Sequence, residues 1–350
     1  MKTGIIGFPQ VGKTSLFTML TGAEVNLARR EDRVGVATVP DTRLDQLAEL
    51  FHPAKLTHAT IELSEVGSLT PESLRDGSGI AALRTVDALA QVIRAFDRLG
   101  EGTPANDVRN LEFDMIVSDL GQVEKRMERV AKDMKKQRTP ALVAEATILE
   151  RMKAHLELEK PLRTLALGAD EEKLTRGFQF LSQKPILYVL NLSEAEAPEM
   201  AGAVARHGLE TALAAPNTGA VAICAKIEAE IAGLPEAEAA EFLSGYGLHE
   251  SGLARVAQAV YQLLGLISFF TAGEDECRAW TIARDTPAVA AAGAIHTDLS
   301  KHFIRAEVIG WQELLQLGSE AAARSQGKLR LEGKDYLVRD GEVMHIRHSG

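Results

Sequence analysis

Apolar positions along this chain follow two rhythms. In the first, short continuous apolar runs alternate with helical segments. Thr3 to Ile6, Val36 to Val39, Thr60 to Leu63, Ala88 to Phe96, Pro185 to Leu190 and Ala220 to Cys224 read as strands. Helices are predicted to start at Ser15, to run from Pro40 through Phe51 and to cover Ile80 to Val86. Strands that alternate with helices predict an α/β fold, a doubly wound parallel sheet that takes ligands at the carboxyl ends of its strands.

The second rhythm is a heptad seam. Ile116, Leu120, Val123, Met127, Val130 and Met134 are spaced alternately by four and three. Arg138, Thr139 and Pro140 break that helix, and Leu142, Leu149 and Leu156 then recur at seven, with Met152 between them. The pattern predicts an antiparallel helical hairpin with its tip near Arg138, inserted into the sheet domain. So narrow a seam favours a projecting coiled coil over two helices lying flat on the main body. From about Ser268 the pattern changes again. Ala279 to Ile282, Phe303 to Val308, Tyr336 to Val338 and Val343 to Ile346 read as short strands, with Gly341 in a turn before the last. The expected organisation is a sheet domain in two parts, 1–105 and 176–267, a hairpin insertion over 106–175 and a small α+β domain over 268–350.

The chain has 350 residues, enough for two or three domains with substantial cores. Its net charge of −10 opposes nucleic-acid binding by bulk charge, so any RNA contact needs a local basic patch. Cys224 and Cys277 are too few for a disulfide framework and read as reduced thiols. The N-terminus enters a strand without a signal peptide, and no apolar run approaches the roughly 20 residues of a membrane span. A cytoplasmic location without membrane contact is expected.

Gly7 to Thr14 read G-F-P-Q-V-G-K-T, the phosphate-binding loop pattern G-x-x-x-x-G-K-[ST]. A strand precedes it and a helix follows it, so the helix N-terminus faces the phosphates. Gly7 and Gly12 permit a tight turn that brings main-chain N–H groups to phosphate oxygens, and Pro9, Gln10, Val11 and Ser15 are counted with them as phosphate-site candidates. Lys13 reaches the β- and γ-phosphates, and the Thr14 hydroxyl can ligate Mg²⁺. The strand ending at Leu190 runs into Asn191, Leu192, Ser193 and Glu194, where GTPases carry N-K-x-D. Alone, an Asn after a strand is a turn residue; its place after a phosphate loop makes it a base-binding candidate. Glu194 stands for the Asp that accepts two hydrogen bonds from guanine, and Leu192 for the Lys that lies over the base. The extra methylene displaces that carboxylate from a bidentate fit to guanine. Cys224, Ala225 and Lys226 resemble the loop that supports the base. The ligand expected is ATP or GTP with Mg²⁺.

In this order these motifs resemble the YchF (Obg-like ATPase) family of P-loop proteins. The resemblance extends over essentially the whole chain. It includes the run from Pro40 to Leu50, Arg84 to Ala88, Phe270 to Gly273, Arg278 to Thr281, Ile295 to Asp298 and Glu332 to Tyr336. It implies a GTPase-like domain, a helical insertion, a C-terminal TGS-like domain and a cytosolic nucleotide-binding protein linked to ribosomes and translation. The family's N-x-x-E loop goes with acceptance of ATP. Three departures bear on mechanism. Asn26 to Arg33 hold no switch Thr, and Thr38 lies in the following strand. The family's D-x-x-G falls on Ser64 to Gly67, so Gly67 can offer an N–H to the γ-phosphate while Ser64 replaces the acid. Glu62 or Glu65 substitutes for that acid only through a register slip, which turns side chains to the other face. The loop from Asp97 to Asn106 has no histidine, which hydrolysing members of the family use. Loss of metal positioning and charge stabilisation predicts binding with slow or absent hydrolysis. The alternative is a ribosome- or RNA-binding scaffold in which nucleotide is structural.

Lys125, Arg126, Arg129, Lys132, Lys135, Lys136 and Arg138 gather toward the hairpin tip, offset in part by Glu124, Glu128 and Asp133. A run of charge of this kind is either a solvated helix face or a contact to rRNA phosphates. Lys135, Lys136 and Arg138 are the ribosome-contact candidates, together with the TGS-like domain, on a protein expected to be a monomer. His296 and Asp298 have no third ligand at metal spacing and read as part of the terminal domain's fold.

Overall fold

The fold is described from a computed structural model, over residues 2–22, 33–66, 80–97, 102–248 and 250–349. The chain forms two units, residues 1–35 with 62–263, and residues 36–61 with 264–350.

The first unit is built on β1 (Lys2–Ile6), which leads into α1 (Lys13–Thr21). The chain leaves this unit within β2 (Arg33–Val39) and returns within β4 (Ala59–Glu65); between them come α2 (Thr42–Phe51) and β3 (Lys55–Thr57). Further strands are β5 (Ala88–Arg94), β6 (Ile186–Asn191) and β7 (Thr218–Ile223). The sheet order is β2-β4-β1-β5-β6-β7, and the pairs from β4 to β7 are all parallel. β5 and β6 are buried along almost their whole length, the continuous apolar run of a strand covered on both faces.

The hairpin consists of α3 (Pro104–Lys136) and α4 (Pro140–Glu157). Each starts at a Thr-Pro pair. Thr103 and Thr139 cap by accepting from the N–H groups of Asn106 and Leu142, and Pro sits where no helical N–H is needed. Ile116, Val123 and Val130 of the seam are buried, with Leu149, Met152 and Leu156 facing them. The hairpin therefore has its own core, which also takes in Leu162 and Phe180. Asp119, fully buried, anchors α3 to the following segment: it accepts from Leu181 N at 3.0 Å, Ser182 N at 2.7 Å and Ser182 Oγ at 2.8 Å. Burial pushes its carboxyl above the usual range, and these three donors act against that.

The second unit has the strands β8 (Leu266–Thr271), β9 (Glu276–Ala283), β10 (Phe303–Gly310), β11 (Arg330–Glu332) and β12 (Glu342–His348). They form a mixed sheet, β11-β10-β12-β8-β9-β3, over a core that includes Phe269, Ile282, Ala291, Phe303 and Met344. Two expectations are corrected here. Residues 36–61 do not belong with the rest of 1–105. Arg43 of α2 bonds Asp41 at 2.8 Å and Asp340 at 2.7 Å, and its guanidinium lies 5.4 Å from the Phe270 ring centre. β3 adds to β9 in parallel. Tyr336 to Val338 is not a strand, since only Leu337 makes an isolated bridge, to Pro287. Tyr336 is held by its hydroxyl, which donates to Glu342 at 2.6 Å. His296 caps a short helix by accepting from Asp298 N, in keeping with a role in the fold.

Candidate functional site

A cavity of about 910 Å³ opens at the carboxyl ends of the parallel strands of the first unit. Each strand from β4 to β7 contributes to its wall. Gln10 and Gly12 to Ser15 follow β1, Glu65 ends β4, Phe96 and Asp97 follow β5, Leu192 to Glu194 follow β6, and Ala225 and Lys226 follow β7. The sequence placed Gln10, Gly12, Lys13, Thr14, Ser15, Asn191, Leu192, Glu194, Ala225 and Lys226 here, and all line the cavity. Gly67 lies outside the described residues.

Gly7, Pro9, Val11 and Cys224 do not line it. Gly7 shapes the turn: its φ is +146°, and a Cβ there would meet the Val92 carbonyl oxygen at 2.5 Å. Pro9 is exposed beside a separate, smaller cavity. Val11 is buried and presents its carbonyl inward to Asn191. Cys224 is buried as the residue before the helix that starts at Ala225, and burial pushes its thiol up.

Lys13 is the first residue of α1, and only 6% of it is exposed. Its Nζ donates to the Phe8 carbonyl at 2.7 Å. Burial lowers its pKa to about 8, against the pull of the Glu65 carboxylate. Gly12 sits at φ +100°, and a Cβ there would come within 2.6 Å of Asn191 Nδ2. Asn191, 4% exposed, holds two loops at once. Its Nδ2 donates to Val11 O at 3.1 Å and its Oδ1 accepts from Ala225 N at 3.0 Å. Lys226 pairs with Glu194 at 2.5 Å, and both are solvent-accessible.

Arg33, Glu65, Phe96, Asp97, Ser193 and Ala229 line the cavity without having been picked out as site residues. Glu65 corrects the reading of the D-x-x-G segment. The β1–β4 register pairs Gly4 with Ser64 and Ile5 with Glu65, with no slip. In that register Glu65 Oε1 accepts from the Thr14 hydroxyl at 2.5 Å, and Glu65 Oε2 lies 3.6 Å from Arg33 Nη1. An acidic group two positions before Gly67 was the available signal.

At the hairpin tip Lys135, Lys136 and Arg138 are exposed. Arg126, counted with them from the sequence, is instead tied across the hairpin to Glu145 by bonds of 2.6 and 2.9 Å. Among the described residues no helix is long and apolar enough to cross a membrane.

Residues 266–349 match the family model YchF-GTPase_C, described as a protein of unknown function (DUF933). The ribosome-binding ATPase YchF of Bacillus subtilis (strain 168) is 39% identical, over 100% of this chain and 99% of that protein. Obg-like ATPase 1 of Oryza sativa subsp. japonica is 31% identical, over 100% and 92%. The solved structure of the Schizosaccharomyces pombe YchF GTPase superposes with a TM-score of 0.82 at 28% identity, covering 99% of this chain and 97% of that one. Full-length identity at this level, on a fold shared from end to end, makes the chain a member of the YchF (Obg-like ATPase) family.

Proposed function

We propose that this chain binds a purine nucleoside triphosphate with Mg²⁺, turns it over slowly at most, and acts on the ribosome. One observation carries the nucleotide reading. The ends of adjacent parallel strands converge on a single cavity lined by a buried lysine and by the loop that follows Asn191. About 910 Å³ is within the size range of small-molecule sites, roughly 300–1,000 Å³. Main-chain N–H groups at the start of α1 and the Lys13 ammonium are the complement of a polyphosphate. Thr14 and Glu65 offer the oxygen donors that Mg²⁺ prefers.

Slow turnover follows from what surrounds the phosphate end. Among the described residues lining the cavity there is no histidine. With Glu194 paired to Lys226 rather than poised as a free bidentate acceptor, ATP binds at least as well as GTP. The proteins named ribosome-binding ATPases cover this chain end to end. The exposed cations of the hairpin tip supply a contact for rRNA phosphates.

Equilibrium titration with ATP and GTP analogues, with and without Mg²⁺, tests the reading. Capture of triphosphate below millimolar concentration, abolished by Lys13→Ala, is the expected result. Lys13-dependent turnover at an ordinary enzyme rate would overturn the claim of slow hydrolysis, and absence of binding would overturn the whole.

A further inference from the structure

We infer that Glu65, one residue beyond the position that carries the family's acid, is the carboxylate that positions the divalent cation of the bound nucleotide. The inference rests on the nucleotide reading above and goes beyond it by assigning a residue. Neighbouring strand residues point to opposite faces, so an acid at 65 cannot simply replace one at 64. Yet β4 ends at Glu65, in plain parallel register with β1, and the side chain at this last position reaches the cavity. It meets the Thr14 hydroxyl at 2.5 Å. In a phosphate loop that hydroxyl is a metal ligand, so Glu65 already touches the atom that marks the metal's place.

The donor set fits Mg²⁺. A hydroxyl and one carboxylate, completed by phosphate oxygens and waters, is the usual partial cage for this ion. The electrostatics fit as well. Glu65 is 9% exposed and lies between two cations, 3.6 Å from Arg33 and close enough to Lys13 to oppose the fall in its pKa. A buried carboxylate so placed has two candidate tasks, to neutralise these cations or to hold a metal. A nucleotide brings its own negative charge to Lys13 and Arg33, which frees Glu65 for the metal. Gln at 65 keeps the shape and removes the charge.

Three quantities separate the tasks: nucleotide affinity without metal, Mn²⁺ affinity of the nucleotide complex by electron paramagnetic resonance, and melting temperature. Mn²⁺ stands in for Mg²⁺ because it shares its preference for oxygen donors. Metal-free ATP should bind Glu65→Gln more tightly than wild type, since a negative charge near the phosphates is gone. Mn²⁺ affinity of the ATP complex should fall roughly 10–100-fold, the range for groups that orient a metal through its ligands. Ser64→Ala should leave Mn²⁺ affinity as in wild type. Glu65→Asp, which keeps the charge but shortens the reach, should weaken Mn²⁺ several-fold and decides the matter should Glu65→Gln fail to fold. Mn²⁺ affinity within twofold of wild type in the folded Glu65 variants overturns the inference, and so does an equal loss in Ser64→Ala. These outcomes leave the nucleotide reading intact, whereas failure of wild type to bind ATP at all removes both.

Discussion

The Asn191 amide donates to the Val11 carbonyl at 3.1 Å, joining the loop after β6 to the phosphate loop across 180 residues of sequence. The same amide accepts from Ala225 N, so one side chain sets the spacing of three strand ends. Asn191→Ala leaves the buried Val11 carbonyl and Ala225 N–H without their partner. Such losses cost about 1–3 kcal/mol each. Asn191→Ala should therefore lower stability by about 2 kcal/mol in urea melts and weaken ATP binding together with it. Full stability with weakened ATP would mean that Asn191 serves the ligand rather than the loops.

Lys13 gives binding a pH dependence of definite sign. Burial holds its pKa near 8, well below the ordinary 10.5. A triphosphate beside it stabilises the ammonium and raises that pKa, so binding takes up a proton wherever free Lys13 is neutral. ATP affinity should fall as pH rises above about 8, by up to tenfold per unit. The free protein behaves in the opposite sense. Between about 8 and 10.5 the unfolded chain holds a proton that the folded chain has shed, so Lys13 contributes a rise in stability across that window. Calorimetry in buffers of different ionisation enthalpy measures the proton uptake, and Lys13→Met should abolish it.

The strand, hairpin and phosphate-loop plan was readable because each part leaves a local trace. G-x-x-x-x-G-K-T needs no partner to be recognised, and the heptad seam is a period in one segment. What was not readable depends on partners far away. Residues 36–61 look locally like another strand and helix of the nucleotide-type sheet. Long-range contacts, such as the bonds of Arg43 to Asp340, 297 residues on, assign α2 to the second unit. Tyr336 to Val338 has the apolar look of a strand, but Tyr336 is fixed through its hydroxyl to Glu342. Glu65 was set aside because the D-x-x-G pattern puts the acid at Ser64, and the β1–β4 register with the end of β4 shows which side chain arrives at Thr14.

Asp119 is the buried clasp at the root of the hairpin. Its carboxylate receives two main-chain N–H groups and the Ser182 hydroxyl, with Arg84 at 4.0 Å. Ala at this position strands those donors in the interior. Asp119→Ala should cost about 3 kcal/mol by denaturant unfolding. It should also speed hydrogen exchange at Leu181 and Ser182 before it affects the phosphate loop. Equal acceleration everywhere would mean that the hairpin has no separate anchorage.

Base choice should be adjustable at Glu194. Its carboxylate is drawn to Lys226 at 2.5 Å, and both residues line the cavity. Glu194→Asp restores the side-chain length that fits the two N–H groups of guanine and shortens the reach to Lys226. GTP affinity should rise about tenfold relative to ATP, equivalent to roughly 1.4 kcal/mol. Fluorescent-nucleotide competition measures the ratio directly, and an unchanged ratio would mean that the main chain alone selects the base.

The hairpin tip is the place to test the ribosome contact, because it can be altered without touching the cavity. Lys135, Lys136 and Arg138 are exposed, and reversing their charge removes no buried contact. Surface changes of this kind usually alter stability by no more than about 0.5 kcal/mol. A phosphate contact, by contrast, is paid for in released counterions, so each neutralised phosphate steepens the salt dependence. The triple change to Glu should leave ATP binding and melting temperature as in wild type, lower ribosome affinity, and flatten the plot of log affinity against log salt by about two to three units. Sedimentation with ribosomes over a range of KCl concentrations reads both quantities. An unchanged slope would assign the tip to solvent and move the ribosome contact to another surface of the chain.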